Sequence, residues 1–343
     1  MRTHLRTGLV SLLALGLFGW FLRNANLPHV WGELRSARMD MLALAFLFVA
    51  VTYWARAFRW QLLLGPIGPT RFRTAFRTTV IGFAASFLLP ARAGDVLRPY
   101  LLAKQEGLSV SATIATIVFE RVLDMIAVLL LLAVYAWGGA AHSVPERLLR
   151  PIQISAAGGL VVAVALMGLM FLLASHPERV GRLVLGMNRV LPHRMAHALA
   201  GVAKSFSEGL VVARTPRPFV LALVCSLPMW FVISLEAWSI TKAFGIVMPV
   251  AGGFLVQALL VIGVAVPTPG AVGGFHEAYR VGVTTFFGAS NDAAVGAAIV
   301  LHALSFVPVT LAGLWFMARD GMSVFGLRGM AQAAKGAEAP HQS

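Results

Sequence analysis

Three ionisable residues stand inside an apolar run that should exclude them: Glu120, Arg121 and Asp124, within 115–137. On a helix they fall within an arc of about 100°, with Glu120 and Asp124 one turn apart. An ionised side chain at the centre of a bilayer costs about 2.5–3.5 kcal/mol on insertion scales, so such groups pair or face water. Two readings fit these residue types. One is a polar lining, in which Arg121 meets an anionic group and the carboxylates meet a cation or a proton. The other is a near-surface cluster that neutralises itself.

Two further groups follow Pro/Gly breaks. The first comprises Pro90, Arg92, Gly94, Asp95 and Arg98. A guanidinium makes paired bonds to two oxygens, so Arg98 suits a phosphate or else holds Asp95. The second comprises Pro267, Pro269, Gly270, Gly273 and Gly274, where glycine lets backbone approach a ligand closely, followed by His276 and Glu277. His276 is a candidate titrating group, or simply a solvated loop histidine. His302 occupies the later stretch at the position that Arg121 holds in the earlier one. Arg56, Arg59 and Trp60 close another apolar run, with Arg71, Arg73 and Arg77 behind them. They read as an inner-leaflet anchor, with a grip on a phosphoglycerol headgroup as the alternative.

The elements that must position these groups follow from composition. Of 343 residues, 58% are hydrophobic and 12% charged, and the mean hydropathy is +0.80. Soluble domains carry about a quarter charged residues, and disorder needs low hydrophobicity, so both classes are excluded. The formal charge of +14 lies between apolar runs, which fits loops on an anionic membrane surface and excludes a nucleic-acid binder. The single cysteine, Cys225, rules out an intramolecular disulfide or a cysteine metal cluster, and no cofactor is called for. Runs long enough to span, at about 20 residues each, lie near 5–22, 40–63, 115–137, 152–174, 217–243 and 294–317. No small-x-small cleavage site follows the first run, so it is expected to be a retained helix.

The stretches 75–90 and 250–266 are apolar but end in proline and glycine. Irregular backbone at membrane depth survives only when buried in protein or lining a wet cavity. If both cross fully, Lys and Arg divide 13 inside against 14 outside; if both are re-entrant they divide 20 against 7. The positive-inside rule selects the second arrangement. The expected fold is therefore an all-α polytopic membrane protein with about six full spans plus two re-entrant half-helices. Both termini are cytoplasmic. A shift of 179 aligns Pro90 and Gly94 with Pro269 and Gly273, and a shift of 181 aligns Gly107 with Gly288 and Ser109 with Ser290. Each half then reads as a broken segment, a polar loop and a long helix, and the halves are inverted. Such paired interruptions point to a transporter's substrate site. The expected organisation is one transmembrane domain over 1–318, with repeat units near 75–137 and 250–317. A basic amphipathic segment over 176–217 lies on the cytoplasmic leaflet, and 319–343 form a mobile cytoplasmic tail.

The motifs Leu88-Leu89-Pro90-x-Arg92-x-Gly94-Asp95-x-x-Arg98, Glu120-Arg121-x-x-Asp124 and Pro267-x-Pro269-Gly270-x-x-Gly273-x-x-x-Glu277 keep a fixed order. In that order and spacing the chain resembles the flippase-like family, also described as the transmembrane region of lysylphosphatidylglycerol synthases, over about 10–317. The family often has Asn at the position of Ser86, Glu at Asp95, a second Gly at Ala271 and Arg near His302. The resemblance implies the lipid-translocating part without the aminoacyl-transferase domain of the synthases. There is no Walker A, H-E-x-x-H or G-x-S-x-G motif, so transport would use a gradient, a coupled ion or outside help. The functional expectation is a non-enzymatic flippase of the cytoplasmic (inner) membrane. Its partners would be membrane lipids with anionic headgroups, no nucleic acid, and a lipid-biosynthetic enzyme as a candidate. A carrier for a small soluble solute and an intramembrane lipid-modifying enzyme are the alternatives.

Overall fold

The computed structural model describes residues 12, 14–89, 93–139, 144–176, 178, 179, 204, 206, 207, 209–266 and 268–322. Among these the regular structure is helical throughout. Residues 14–22 form α1, and α2 (Leu27–Ser36) and α3 (Met39–Leu64) follow. The first broken segment is α4 (Phe72–Leu88) and α5 (Gly94–Glu106), leading to α6 (Val110–Trp137) and α7 (Glu146–Ser175). After a 3-10 turn at Leu210–Arg214 come α8 (Pro216–Ala243), the second broken segment α9 (Gly252–Ala265) and α10 (Gly274–Phe287), and α11 (Asn291–Arg319).

The stretches expected as polar loops after each break are helices, α5 and α10. Leu97, Leu101 and Leu102 on α5, and Phe275, Tyr279 and Val283 on α10, recur at helical spacing and are buried. The two arms of each segment pack on one another. Their crossings are glycine on glycine. A Cβ on Gly94 would lie 1.7 Å from the Gly82 carbonyl oxygen, and one on Gly263 would lie 2.5 Å from that of Gly274. Both segments also end alike. Gly107 and Gly288 adopt left-handed backbone at φ 69° and 64°, closing α5 and α10. Two residues later Ser109 and Ser290 cap α6 and α11, accepting from the backbone N–H groups of Ala112 and Ala293.

Packing between the halves is reciprocal. The helix α3 runs along α8, α4 packs on α11, and α9 packs on α6. Among the described residues four helices (α3, α7, α8 and α11) are long and apolar enough to cross a membrane. The helix α6 has the length but carries the three charged residues. On α7, Val161, Val164, Leu169 and Leu172 are exposed, as expected where lipid rather than water is the neighbour. The expected amphipathic segment lies largely outside the described residues, as does the tail beyond 322. Arg179 and Lys204 are described; Lys204 pairs with Glu178 at 2.6 Å.

Candidate binding cavity

One turn after the first break, α5 presents Asp95 and Arg98 to α6, while α3 brings Arg56 and Arg59 from the opposite side. The result is a buried ionic network. Arg59 Nη1 donates to Asp124 Oδ1 at 2.6 Å and to Ser226 Oγ at 2.9 Å. Its Nη2 lies 3.3 Å from Glu120 Oε1, which also accepts from Arg98 Nη1 at 3.1 Å. Arg121 reaches Asp95 at 3.2 Å and Asp124 at 3.3 Å. The indole N–H of Trp230 donates to Asp124 Oδ1 at 2.8 Å, and the Arg98 guanidinium lies over the Trp60 ring. Charges this deep are tolerated because Glu120 and Asp124 each face more than one donor.

Beside the network lies a cavity of about 590 Å³. Arg56, Asp95, Arg121, Asp124, Glu236 and Gln257 are among its polar lining residues. Phe83, Phe87, Val128, Ile233, Leu260 and Phe306 are among its apolar neighbours. Leu89 from the first break and Thr268, Pro269 and Ala271 from the second reach the same cavity. Opposite Arg56, Glu236 on α8 accepts from Ser305 Oγ at 2.5 Å, and no cation stands within 4.0 Å of it among the described residues.

The structure sorts the expected site residues. Gly94, Asp95, Glu120, Arg121 and Asp124 come together at the network. Arg98 does not line the cavity; the carboxylate it pairs with is Glu120 rather than Asp95, because α5 turns its buried face toward α6. Glu277 is tied to Arg280 at 2.6 Å, outside the cavity lining. Gly274 packs on Gly263, and a Cβ on Gly273 would meet Leu17 of α1 at 2.5 Å, so both serve helix contact rather than ligand approach. Gly270 takes φ 60° in the second break, and its carbonyl lies 2.7 Å from His302 Nε2. The His276 and His302 rings stand 4.5 Å apart, buttressed by Phe18, Phe21 and Phe275. They brace the second break beside the cavity. Pro90, Arg92 and Pro267 lie outside the described residues.

One residue of the cavity escapes the sequence reading, and a second departs from the first of the two readings given for it. Glu236 sits inside 217–243, where the rule that singled out Glu120 applies equally. Arg56 reads as a surface anchor, yet it is only 9% exposed. With Arg59 and Arg98 also buried, the inner-side count loses three of its 20 and stands at 17 against 7.

The family model for the lysylphosphatidylglycerol synthase transmembrane region matches residues 8–313, and the chain belongs to that family. A protein named glycosyltransferase AglD from Haloferax volcanii is 25% identical over 90% of this chain, which spans only 53% of that relative. A UPF0104 membrane protein from Methanothermobacter thermautotrophicus is 24% identical over 92% of this chain and 93% of its own length. Another, from Methanocaldococcus jannaschii, is 26% identical over 54% of this chain and 73% of its own. The protein is thus an all-α member of a membrane-protein family.

Proposed function

We propose that the protein moves a lipid or lipid-linked molecule between the leaflets of the cytoplasmic membrane, without a reaction step of its own. The observation that carries this reading is the cavity that residues from both breaks border, lined by charged groups and apolar side chains together. An amphiphile needs both: a polar pocket for its headgroup and an apolar path for its chains. The reading takes α4–α5 and α9–α10 as re-entrant hairpins and α3–α6 and α8–α11 as inverted repeats, with six spans and cytoplasmic termini. The paired glycine crossings, the matching caps and the reciprocal packing support it. Membrane lipids are then the partners, and a lipid-biosynthetic enzyme would supply them.

The test is the accessibility of headgroup-labelled lipid in proteoliposomes. Wild type should expose inner-leaflet label, Asp95→Asn and Arg121→Gln should slow this at least tenfold, and Glu277→Gln should match wild type. Failure of folded wild type to move any lipid overturns the proposal. The glycosyltransferase name of one relative supports a second reading, an enzyme acting on a lipid-linked sugar. A new glycolipid made by the purified protein would favour it.

A further inference from the structure

Four arginines stand at the cavity or its ionic network, Arg56, Arg59 and Arg98 buried and Arg121 half-buried, and three of the four have carboxylate partners. The fourth does not. The Arg56 guanidinium lies 5.1 Å from the Phe83 ring centroid and 5.5 Å from that of Trp230, and makes no hydrogen bond or ion pair among the described residues. Aromatic contacts of this kind act on the cation's flat faces and leave its N–H fork without an acceptor. One turn earlier on the same face of α3, Thr52 Oγ1 is buried with no hydrogen-bond partner. Both residues line the cavity.

We propose that Arg56, with the Thr52 hydroxyl beside it, anchors an oxyanion of phosphate type inside the cavity. This rests on the transport reading above, and supplies it with a ligand chemistry. A largely desolvated cation without a direct ion pair is costly, and an entering phosphate supplies both a charge in contact and the paired acceptors that the fork matches. The nearby carboxylates Asp124 and Glu236 act on Arg56 only through space and make no direct pair with it. Asp124 is held by Arg59, Arg121 and Trp230, Asp95 pairs with Arg121, and Glu236 accepts from Ser305.

The experiment measures binding to the full chain in nanodiscs, separately from transport. The probes are phosphatidylglycerol, diacylglycerol of the same chains, and inorganic phosphate. Wild type should bind phosphatidylglycerol at least tenfold more tightly than diacylglycerol. Arg56→Gln should weaken that binding about 10- to 100-fold, the loss of a charge-assisted paired contact, while the exposed Arg147→Gln changes nothing. Arg56→Lys should retain only part, because an ammonium cannot make the paired contact. Binding of inorganic phosphate with equal sensitivity to Arg56, but no lipid preference, would assign the anchor to a free anion. Phenylglyoxal labelling of Arg56 in the wild type, read by peptide mass spectrometry, needs no variant and should fall when the probe is bound. Unchanged labelling with probe bound, equal affinity in a folded Arg56→Gln, or no phosphate-bearing probe binding the folded wild type would each overturn the anchor. Binding as expected without lipid movement would sink the transport reading and leave the anchor standing.

Discussion

Glu120 is the residue on which the buried network turns, because one of its oxygens serves both Arg59 and Arg98. Glu120→Gln keeps the shape and removes the charge, leaving buried Arg98 without its counter-ion and Arg59 with Asp124 alone. Breaking such a pair costs about 3–5 kcal/mol. We expect a loss of that size in denaturant unfolding in micelles, and none in the exposed pair variant Asp40→Asn; wild-type stability in Glu120→Gln would show the network to be dispensable. Ala271 works in the opposite direction. It takes φ 57°, a backbone region that disfavours a Cβ by about 1–2 kcal/mol. Ala271→Gly should therefore raise stability by about 0.5–1 kcal/mol after glycine's own entropy cost, read as a higher Tm. The charge cluster on α6 was legible from sequence because three ionisable residues interrupt one apolar run. Its partners were less so: Arg59 stands close enough to the end of its run to pass for a surface residue. The packing of α3 against α8 and α6 buries it.

At the scale of elements, the two hairpins depend on backbone meeting backbone. Gly94→Ala would drive a Cβ into the Gly82 carbonyl, and Gly263→Ala into that of Gly274, with no flexible side chain to give way. Overpacking of this kind costs about 1–3 kcal/mol, so both variants should lower Tm by similar amounts. Gly168 on α7 faces open space, and Gly168→Ala should gain about 0.5–1 kcal/mol from helix propensity. A large effect at Gly94 with none at Gly263 would deny the two hairpins a common construction. Proline and glycine located both breaks in the sequence, and the 181-residue shift found the paired caps. The arms α5 and α10 were hidden because Asp95, Arg98 and Glu277 made them look like loops. Those charges are instead satisfied inside the protein or by a neighbour one turn away.

The whole molecule joins two surfaces of opposite character: an apolar exterior on α7 and the outer face of α3, and a cavity with charged groups in its lining. If the cavity is the path, its volume is the functional quantity, and filling it should stop movement without disturbing the fold. Ala258 on α9 is 9% exposed and lines the cavity, so the indole of Ala258→Trp would enter space that is already empty. A large residue in a packed core strains its neighbours, whereas one in a void of about 590 Å³ gains contacts. We therefore expect Ala258→Trp to keep or raise Tm while slowing lipid exposure in proteoliposomes at least tenfold. The same change at Leu172, on the exposed face of α7, should leave both unaltered. Undiminished movement in a folded Ala258→Trp would take the path out of the cavity and onto the protein's outer surface. The charged groups would then be structural: a clamp that holds α3, α5 and α6 together at the first break.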